Sequence, residues 1–312
     1  MIELILVILG LAGLVLGSHL TINGALNIAE HFKLGQIFIG LTILAIGTDL
    51  PELFVDITGA IHRLQGTETS GLIIGETIGT CFGQIALTLG IVGLFAVLTL
   101  TKKELVRDGS MMLGSILLLL LLSLDGKLSR FDGAVLIVVY LIYFGMLFRE
   151  EKIFGKIKRA PSFKLGWSII SLLSGFAILI YSSNIAITNA VSLAEIWGVK
   201  QSLIGILLLG LGTSLPELFL ALTSLYKKAT PLAIGNLVGS NIFDILFTVG
   251  AGSVISEFIV NKNLLLFDIP FLFFTSVIAL YFLRTKMRIH RHEAVVLILI
   301  YIAYIGFKLW GM

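Results

Sequence analysis

Two octapeptides, Gly47-Thr48-Asp49-Leu50-Pro51-Glu52-Leu53-Phe54 and Gly212-Thr213-Ser214-Leu215-Pro216-Glu217-Leu218-Phe219, each interrupt a long apolar run with a proline followed by a glutamate. A proline removes a backbone donor and breaks the helix, which leaves carbonyls near Gly47 and Thr48, or near Gly212 and Thr213, without their usual partner. Asp49 and Glu52 are three residues apart and share one helix face. Carboxylates, hydroxyls and loose carbonyls together are the oxygen donors that hard cations take. An acid at membrane depth is costly enough to mark an ion, proton or substrate path. Two such breaks at matching positions of two halves point to the central site of a transporter.

A second polar constellation follows each break. Gly75-Glu76-Thr77-Ile78-Gly79-Thr80-Cys81-Phe82-Gly83-Gln84 answers to Gly235-Asn236-Leu237-Val238-Gly239-Ser240-Asn241-Ile242-Phe243-Asp244. Glu76, Thr80 and Gln84, like Asn236, Ser240 and Asp244, recur every fourth residue and form one polar stripe on an apolar helix. Gly75, Gly79, Gly235 and Gly239 make small-residue seams that let backbones approach. Packing alone accounts for the glycines, but not for an acid inside lipid.

The elements that must position these residues are membrane helices. The chain of 312 residues is 57% hydrophobic and 13% charged, with a mean hydropathy of +1.04. That excludes an ordinary soluble domain, whose charged share is about 25%. Apolar runs of spanning length recur throughout and predict an all-α polytopic membrane protein with ten spans, over 3–30, 36–61, 71–99, 110–124, 131–148, 165–195, 201–226, 231–256, 264–283 and 293–310. The first run lacks a basic leader and a small-residue cleavage site and reads as a retained helix. Cys81 is the single cysteine, so neither an intrachain disulfide nor a Cys/His metal cluster is possible. The net charge of +3 sits in loops and signals topology rather than nucleic-acid binding.

The halves align in register. With a shift of 165, Ala25, Ala29, Glu30, Gln36, Gly40 and Glu52 meet Ala190, Ala194, Glu195, Gln201, Gly205 and Glu217. Beyond the second span the shift is 160, and Gly75, Gly79 and Gly90 meet Gly235, Gly239 and Gly250. Five spans per half is an odd number, so the second copy enters from the opposite face, an inverted repeat. The division is 1–150 for the first repeat, a basic cytoplasmic linker over 151–164, and 165–312 for the second.

The paired GT[S/D]LPEL segments and the downstream GNxxGSNxxD helix resemble the cation/calcium exchanger superfamily, and most nearly its prokaryotic sodium/calcium exchangers. The resemblance covers essentially the whole chain. It implies a diamond of four cation sites built by the second, third, seventh and eighth helices, with Glu52 and Glu217 at the centre. It further implies ligation by Thr48, Thr213, Ser214, Ser240 and Asp244, and by the carbonyls of Ala45 and Gly210. Thr80 and Gln84 stand where the family has serine and asparagine or aspartate. The first repeat departs from the pattern: Asp49 replaces serine, Glu76 and Cys81 replace asparagines, and Asp56 adds an acid one turn after Glu52. Carboxylates this close cannot all remain bare, so protons or cations must neutralise part of them.

The implied activity is secondary antiport of sodium against calcium by alternating access, the first and sixth helices sliding over a four-helix core. The alternative on the same fold is exchange of protons for a divalent cation such as calcium, magnesium or manganese, which the surplus acids favour. A channel would use symmetric subunits around a pore, and neither HExxH nor GxSxG is present to suggest an intramembrane enzyme. No cofactor, nucleic acid or obligatory protein partner is expected, only inorganic cations and membrane lipid. His19 reads as a packed residue rather than a proton relay, Cys81 as an apolar filler, Glu30 and Glu195 as solvated helix ends, and Asp125, Asp132 and Asp268 as interfacial.

With the N-terminus outside, sixteen of the 22 Lys and Arg fall on the cytoplasmic side, which places both termini outside the cell membrane. Lys158→Cys, made with Cys81 replaced, is expected to react with an impermeant maleimide only after the membrane is opened. Labelling of intact cells from outside would reverse the orientation.

Overall fold

The computed structural model describes residues 2–31, 45–95, 98–99, 102–150, 165–226, 230–284 and 288–310. The first helix, α1, is Ile2–His31. Two pieces follow, α2 (Ala45–Thr48) and α3 (Leu50–Leu64). Then come α4 (Ser70–Phe82), a π-helical stretch Gly83–Thr88 and α5 (Leu89–Phe95). Strand β1 (Leu98–Thr99) leads to α6 (Lys102–Leu122), and β2 (Lys127–Leu128) to α7 (Arg130–Glu150). The second half opens with α8 (Leu165–Trp197). It continues through α9 (Gln201–Ile204), a π-helical stretch Gly205–Leu209, α10 (Gly210–Thr213) and α11 (Leu215–Tyr226). Next are α12 (Thr230–Phe243), the π-helical stretch Asp244–Thr248, α13 (Val249–Ile255) and β3 (Phe258–Ile259). The chain closes with a π-helical stretch Leu264–Asp268, α14 (Ile269–Arg284), β4 (Arg288–Ile289) and α15 (Arg291–Trp310).

Among the described residues, eight helices are long and apolar enough to cross a membrane, and the bent run from Gln201 to Leu222 makes a ninth. The expected span 36–61 lies partly outside the described residues, and the linker 151–164 lies wholly outside them. The span expected over 110–124 begins eight residues earlier, at Lys102. Its early turn tolerates charge because Arg107 pairs with Asp108 at 2.6 Å, and Tyr143 donates to the same carboxylate at 2.9 Å. Outward faces carry Ile5, Leu9, Phe131, Leu141, Trp167, Tyr181, Phe274 and Leu299, an apolar coat suited to lipid.

The halves interlock. Strand β1 pairs antiparallel with β4, and β3 pairs antiparallel with β2. Helix α5 crosses α15 where a Cβ on Gly90 would lie 3.0 Å from the Ala294 carbonyl. Helix α13 crosses α7 in the corresponding way, with a Cβ on Gly133 falling 2.7 Å from the Gly250 carbonyl. Each half thus closes on the last helix of the other.

Two seams differ in character. Helices α1 and α8 run antiparallel, with Gly10 beside Ala186, Gly17 beside Gly175 and Gly24 beside Leu172. The second seam joins α4 in parallel to α9 and its π-helical extension, where Gly75 rests on the Ser202 backbone and Gly79 on Ile206. No close neighbour of Gly235 or Gly239 falls among the described residues. Around this frame Phe82 gathers Phe271, Tyr301 and Tyr304 at centroid separations of 5.6, 5.6 and 4.4 Å.

Asp268 is not interfacial. It is 1% exposed and accepts hydrogen bonds from Tyr304 Oη and Lys308 Nζ, each at 2.8 Å. A carboxylate is tolerable inside because a cation and a phenol complete its shell. His19 also departs from expectation: it is exposed on the outer face of α1 rather than packed. Asp125 and Glu195 are exposed, Asp132 is half-buried and caps Ser129, and Cys81 is buried in the apolar core. The side chain of Glu30 lies outside the described residues.

A Cβ added at Gly79 would sit 2.5 Å from the Ile206 carbonyl oxygen, and backbone cannot step aside as a side chain can. Gly79→Val is expected to destabilise the fold by about 1–3 kcal/mol or more, seen as a lower unfolding temperature in detergent. Gly114→Val, which meets nothing within 4 Å, is the control and should shift it little.

Candidate functional site

The two helix breaks have the same geometry. Asp49 ends α2 with φ −86° and ψ 7°, and Ser214 ends α10 with φ −77° and ψ 8°. In each case the helix restarts on Leu-Pro-Glu, where the proline's missing N–H costs nothing in a first turn. The restart is fastened by Leu53 N to the Asp49 carbonyl and Leu218 N to the Ser214 carbonyl, each at 3.1 Å. The run through Ser214 bends by 42° there. Glu52 and Glu217 therefore occupy equivalent first-turn positions, and both are completely buried.

The stripes meet the breaks of the opposite half. Ser240 Oγ donates to Asp49 Oδ1 at 2.6 Å, so the α12 stripe reaches the first break. Thr213 Oγ1 donates to Glu76 Oε1 at 2.8 Å, and Thr80 Oγ1 lies 3.2 Å from Thr213 Oγ1 and 3.0 Å from the Gly210 carbonyl, so the α4 stripe reaches the second. Both stripes end in a π-helical stretch, beginning at Gly83 in one half and at Asp244 in the other. Such turns widen the helix and release backbone groups, and they recur at functional sites.

The site's electrostatics are one-sided. Asp49, Glu52, Asp56, Glu76, Glu217 and Asp244 are each at most 1% exposed. No Lys, Arg or His is buried among the described residues. Both carboxyl oxygens of Glu52, Asp56, Glu217 and Asp244, and Oε2 of Glu76, have no hydrogen-bond donor. Beside Glu217 stands a further carboxylate, Asp49, which offers no hydrogen when ionised. Thr213, the hydroxyl beside Glu52, has turned its hydrogen to Glu76. Buried carboxylate oxygens without donors are expensive in a dry interior, and cations are the partners that match them. Among the described residues no three acidic, histidine or cysteine side chains close into a metal cage by themselves. Hydroxyls and carbonyls must complete any shell.

Some expected donors are engaged elsewhere. The Gly210 carbonyl accepts from Ser214 Oγ at 2.8 Å with Thr80 Oγ1 at 3.0 Å, so both of its lone-pair directions are met by hydroxyls. Gln84 turns Oε1 to Asn241 Nδ2 at 2.6 Å and leaves Nε2 without an acceptor. The Gly47 carbonyl, freed by Pro51, is taken by Ser18 Oγ of α1 at 2.7 Å instead of facing a cation. Thr48 is buried beside Asp49. Ala45 begins α2, and its side chain lies outside the described residues. Ser18 was missed in the sequence; its signal was a hydroxyl on the apolar face of the first helix, with Ser183 at the matching position of the second half.

A family model described as "Sodium/calcium exchanger protein" matches residues 2–149 and 167–310. Among curated proteins, the putative antiporter CaxA of Alkalimonas amylolytica is 29% identical over 96% of this chain and 96% of its own. The sodium/calcium exchanger MaX1 of Methanosarcina acetivorans is 27% identical over 97% of both. Among solved structures, the sodium-calcium exchanger NCX_Mj soaked with sodium and calcium superposes with a TM-score of 0.66 at 27% identity, covering 98% of each chain. With the repeated breaks, the polar stripes and these likenesses in hand, the chain belongs to the sodium/calcium exchanger protein family.

Proposed function

We propose that this protein is a secondary antiporter that exchanges sodium for calcium across the cell membrane by alternating access, and that it performs no covalent chemistry. The observation that carries the reading is the pair Glu52 and Glu217. These fully buried carboxylates stand at equivalent helix breaks, with all four oxygens lacking a donor. One divalent ion, or monovalent ions in its place, answers that charge and binds the same oxygens. Asp49, Thr48, Thr213, Ser214, Ser240, Asp244, Glu76, Thr80 and the Ala45 carbonyl supply the remaining shell, with Gln84 and the Gly210 carbonyl entering once their present hydrogen bonds rearrange.

The inverted repeat is the architectural half of the proposal, with 1–150 and 165–312 as its copies and ten spans in all. It is supported by the antiparallel run of α1 against its counterpart α8 and by the exchanged strand pairs β1–β4 and β3–β2. Such a relation gives two access states of equal construction. The α1–α8 pair is the moving slab. Its described polar ties to the core are Ser18 to the Gly47 carbonyl at 2.7 Å, Ser183 to Thr58 at 2.7 Å and Asn184 to His62 at 2.7 Å. Hydroxyl and amide contacts of this kind can be remade one position along a helix, whereas glycine-seated backbone contacts cannot. The basic loops keep the linker in the cytoplasm and the termini outside, and lipid surrounds the apolar outer faces.

A second reading, exchange of protons for a divalent cation, is favoured by one observation: Asp49, Asp56 and Glu76 add three buried acids to the first half, with no buried base to match among the described residues. Sodium and pH gradients imposed on the same vesicles separate the two.

Glu52→Gln and Glu217→Gln are each expected to lower sodium-driven calcium flux in proteoliposomes at least about a hundredfold while the protein stays folded. Losing one charge beside a divalent ion at about 4 Å removes up to several kcal/mol of attraction. Near-normal flux in either purified variant would remove the reading. Asp49→Ser with Glu76→Asn restores the second-half pattern at both positions. It is expected to change ion preference or pH profile without stopping transport. The double variant should differ from the sum of the single changes, because the two acids share neighbours. An unchanged ion preference and pH profile would make both acids bystanders.

A further inference from the structure

Asp56 has no role in the exchange site just described. It lies one turn beyond Glu52 on the same face of α3, about 6 Å further along the axis. Its repeat counterpart is Ala221, so only one half of the protein carries it. The side chain is completely buried, and neither oxygen has a donor. The helix is held here: α13 passes so close that a Cβ on Gly252 would lie 3.4 Å from the Asp56 carbonyl oxygen, and Thr69 Oγ1 donates to the Gly59 carbonyl at 2.7 Å. Asp56 therefore cannot swing out to water.

Its neighbours define what it can hold. Glu76 is the nearby charge and Thr248 the nearby hydroxyl. Thr248 Oγ1 has committed its hydrogen to the Asp244 carbonyl at 2.7 Å, so it turns lone pairs, not a proton, toward Asp56. Glu76 directs Oε1 to Thr213 and leaves Oε2 without a donor. Asp56 thus has beside it an acid with an oxygen that lacks a donor and a hydroxyl whose hydrogen is spent elsewhere. Acceptors facing acceptors repel unless something positive stands between them.

The position is equally specific. Further along α3, about 10 Å past Asp56, Arg63 pairs with Glu68 and donates to the Glu257 carbonyl. There it helps line a polar cavity of about 400 Å³ with Thr67, Arg130 and Ser256. Asp56 stands between that cavity and the central carboxylates.

We propose that Asp56, with Glu76 Oε2 and the Thr248 hydroxyl, forms an additional cation site one helical turn from the central pair, on the side of the Arg63 cavity. The ion is a singly charged hard cation of sodium's kind. Calcium takes six to eight oxygens, more than the two of Asp56, one of Glu76 and one hydroxyl supply. A monovalent ion is satisfied by two carboxylates, a hydroxyl and water. This rests on the exchange reading only for which cation is present, so binding rather than transport tests it.

The test is equilibrium binding of radioactive sodium and calcium to the purified full-length chain. Glu52→Gln with Glu217→Gln is expected to lose calcium binding yet keep a saturable sodium component. Adding Asp56→Asn should weaken that component at least about tenfold, Thr248→Val should weaken it less, and Asp56→Glu should retain it. Elution as a single folded species is checked for each, and Asp56→Glu and Thr248→Val decide the matter if Asp56→Asn does not fold. A sodium isotherm unmoved by Asp56→Asn or by Thr248→Val overturns the site. So does the absence of residual sodium binding in the folded Glu52→Gln/Glu217→Gln protein, or a change in proton release alone. Failure of the exchange reading would show separately, as wild-type vesicles without sodium-driven calcium flux.

Discussion

Six buried carboxylates held together with no buried base among the described residues set the terms for the rest of this fold. Two like charges about 5 Å apart repel by roughly 3 kcal/mol even at an effective dielectric of 20, and lipid offers no water to relieve them. The surrounding helices must therefore resist being pushed apart. That resistance comes from backbone-level contact: Gly75 and Gly79 seat α4 on the Ser202 and Ile206 backbones. It comes as well from each half closing on the last helix of the other.

The same constraint explains how breaks and stripes are paired. A break in one half faces the stripe of the other, so two of the acids there meet a hydroxyl from across the interface: Asp49 meets Ser240, and Glu76 meets Thr213. Donation across the interface quiets one oxygen of each acid and leaves others open to an ion. Glu52 and Glu217 receive no such donation. On the exchange reading they are the groups whose condition changes most between an ion-filled and an ion-free centre, and they sit in the first turn after each helix break.

Much of this was legible in the sequence because the relevant signals are local or periodic. The Leu-Pro-Glu breaks, the four-residue polar stripes and most span limits follow from proline chemistry and helical period, and they lie where expected. What was not legible depends on tertiary partners. The start of α6 at Lys102 needs Tyr143 and an Arg107–Asp108 pair, and the burial of Asp268 needs Tyr304 and Lys308, 36 and 40 residues away. The π-helical stretches among the described residues have no period of their own to announce them. The capping of Gly47 by Ser18 joins two helices whose register hydropathy does not encode.

The two halves are matched in backbone and unmatched in charge. Asp49, Asp56 and Glu76 stand against Ser214, Ala221 and Asn236, so three of the six acids have no acidic counterpart. An ion moving between the two sides of a matched site would meet the same field on either side. Here it meets more acid on the α3–α4 flank, and one of the three extra acids, Asp56, lies one turn along α3 from Glu52 toward the Arg63 end of the helix. With the cation site proposed at Asp56, a surplus of that size would hold positive charge in place after a divalent ion has left. On the proposed sliding of α1 and α8, the frame would then have a partner for its carboxylates while the slab crosses, and that is the condition under which like charges can stay buried throughout a transport cycle.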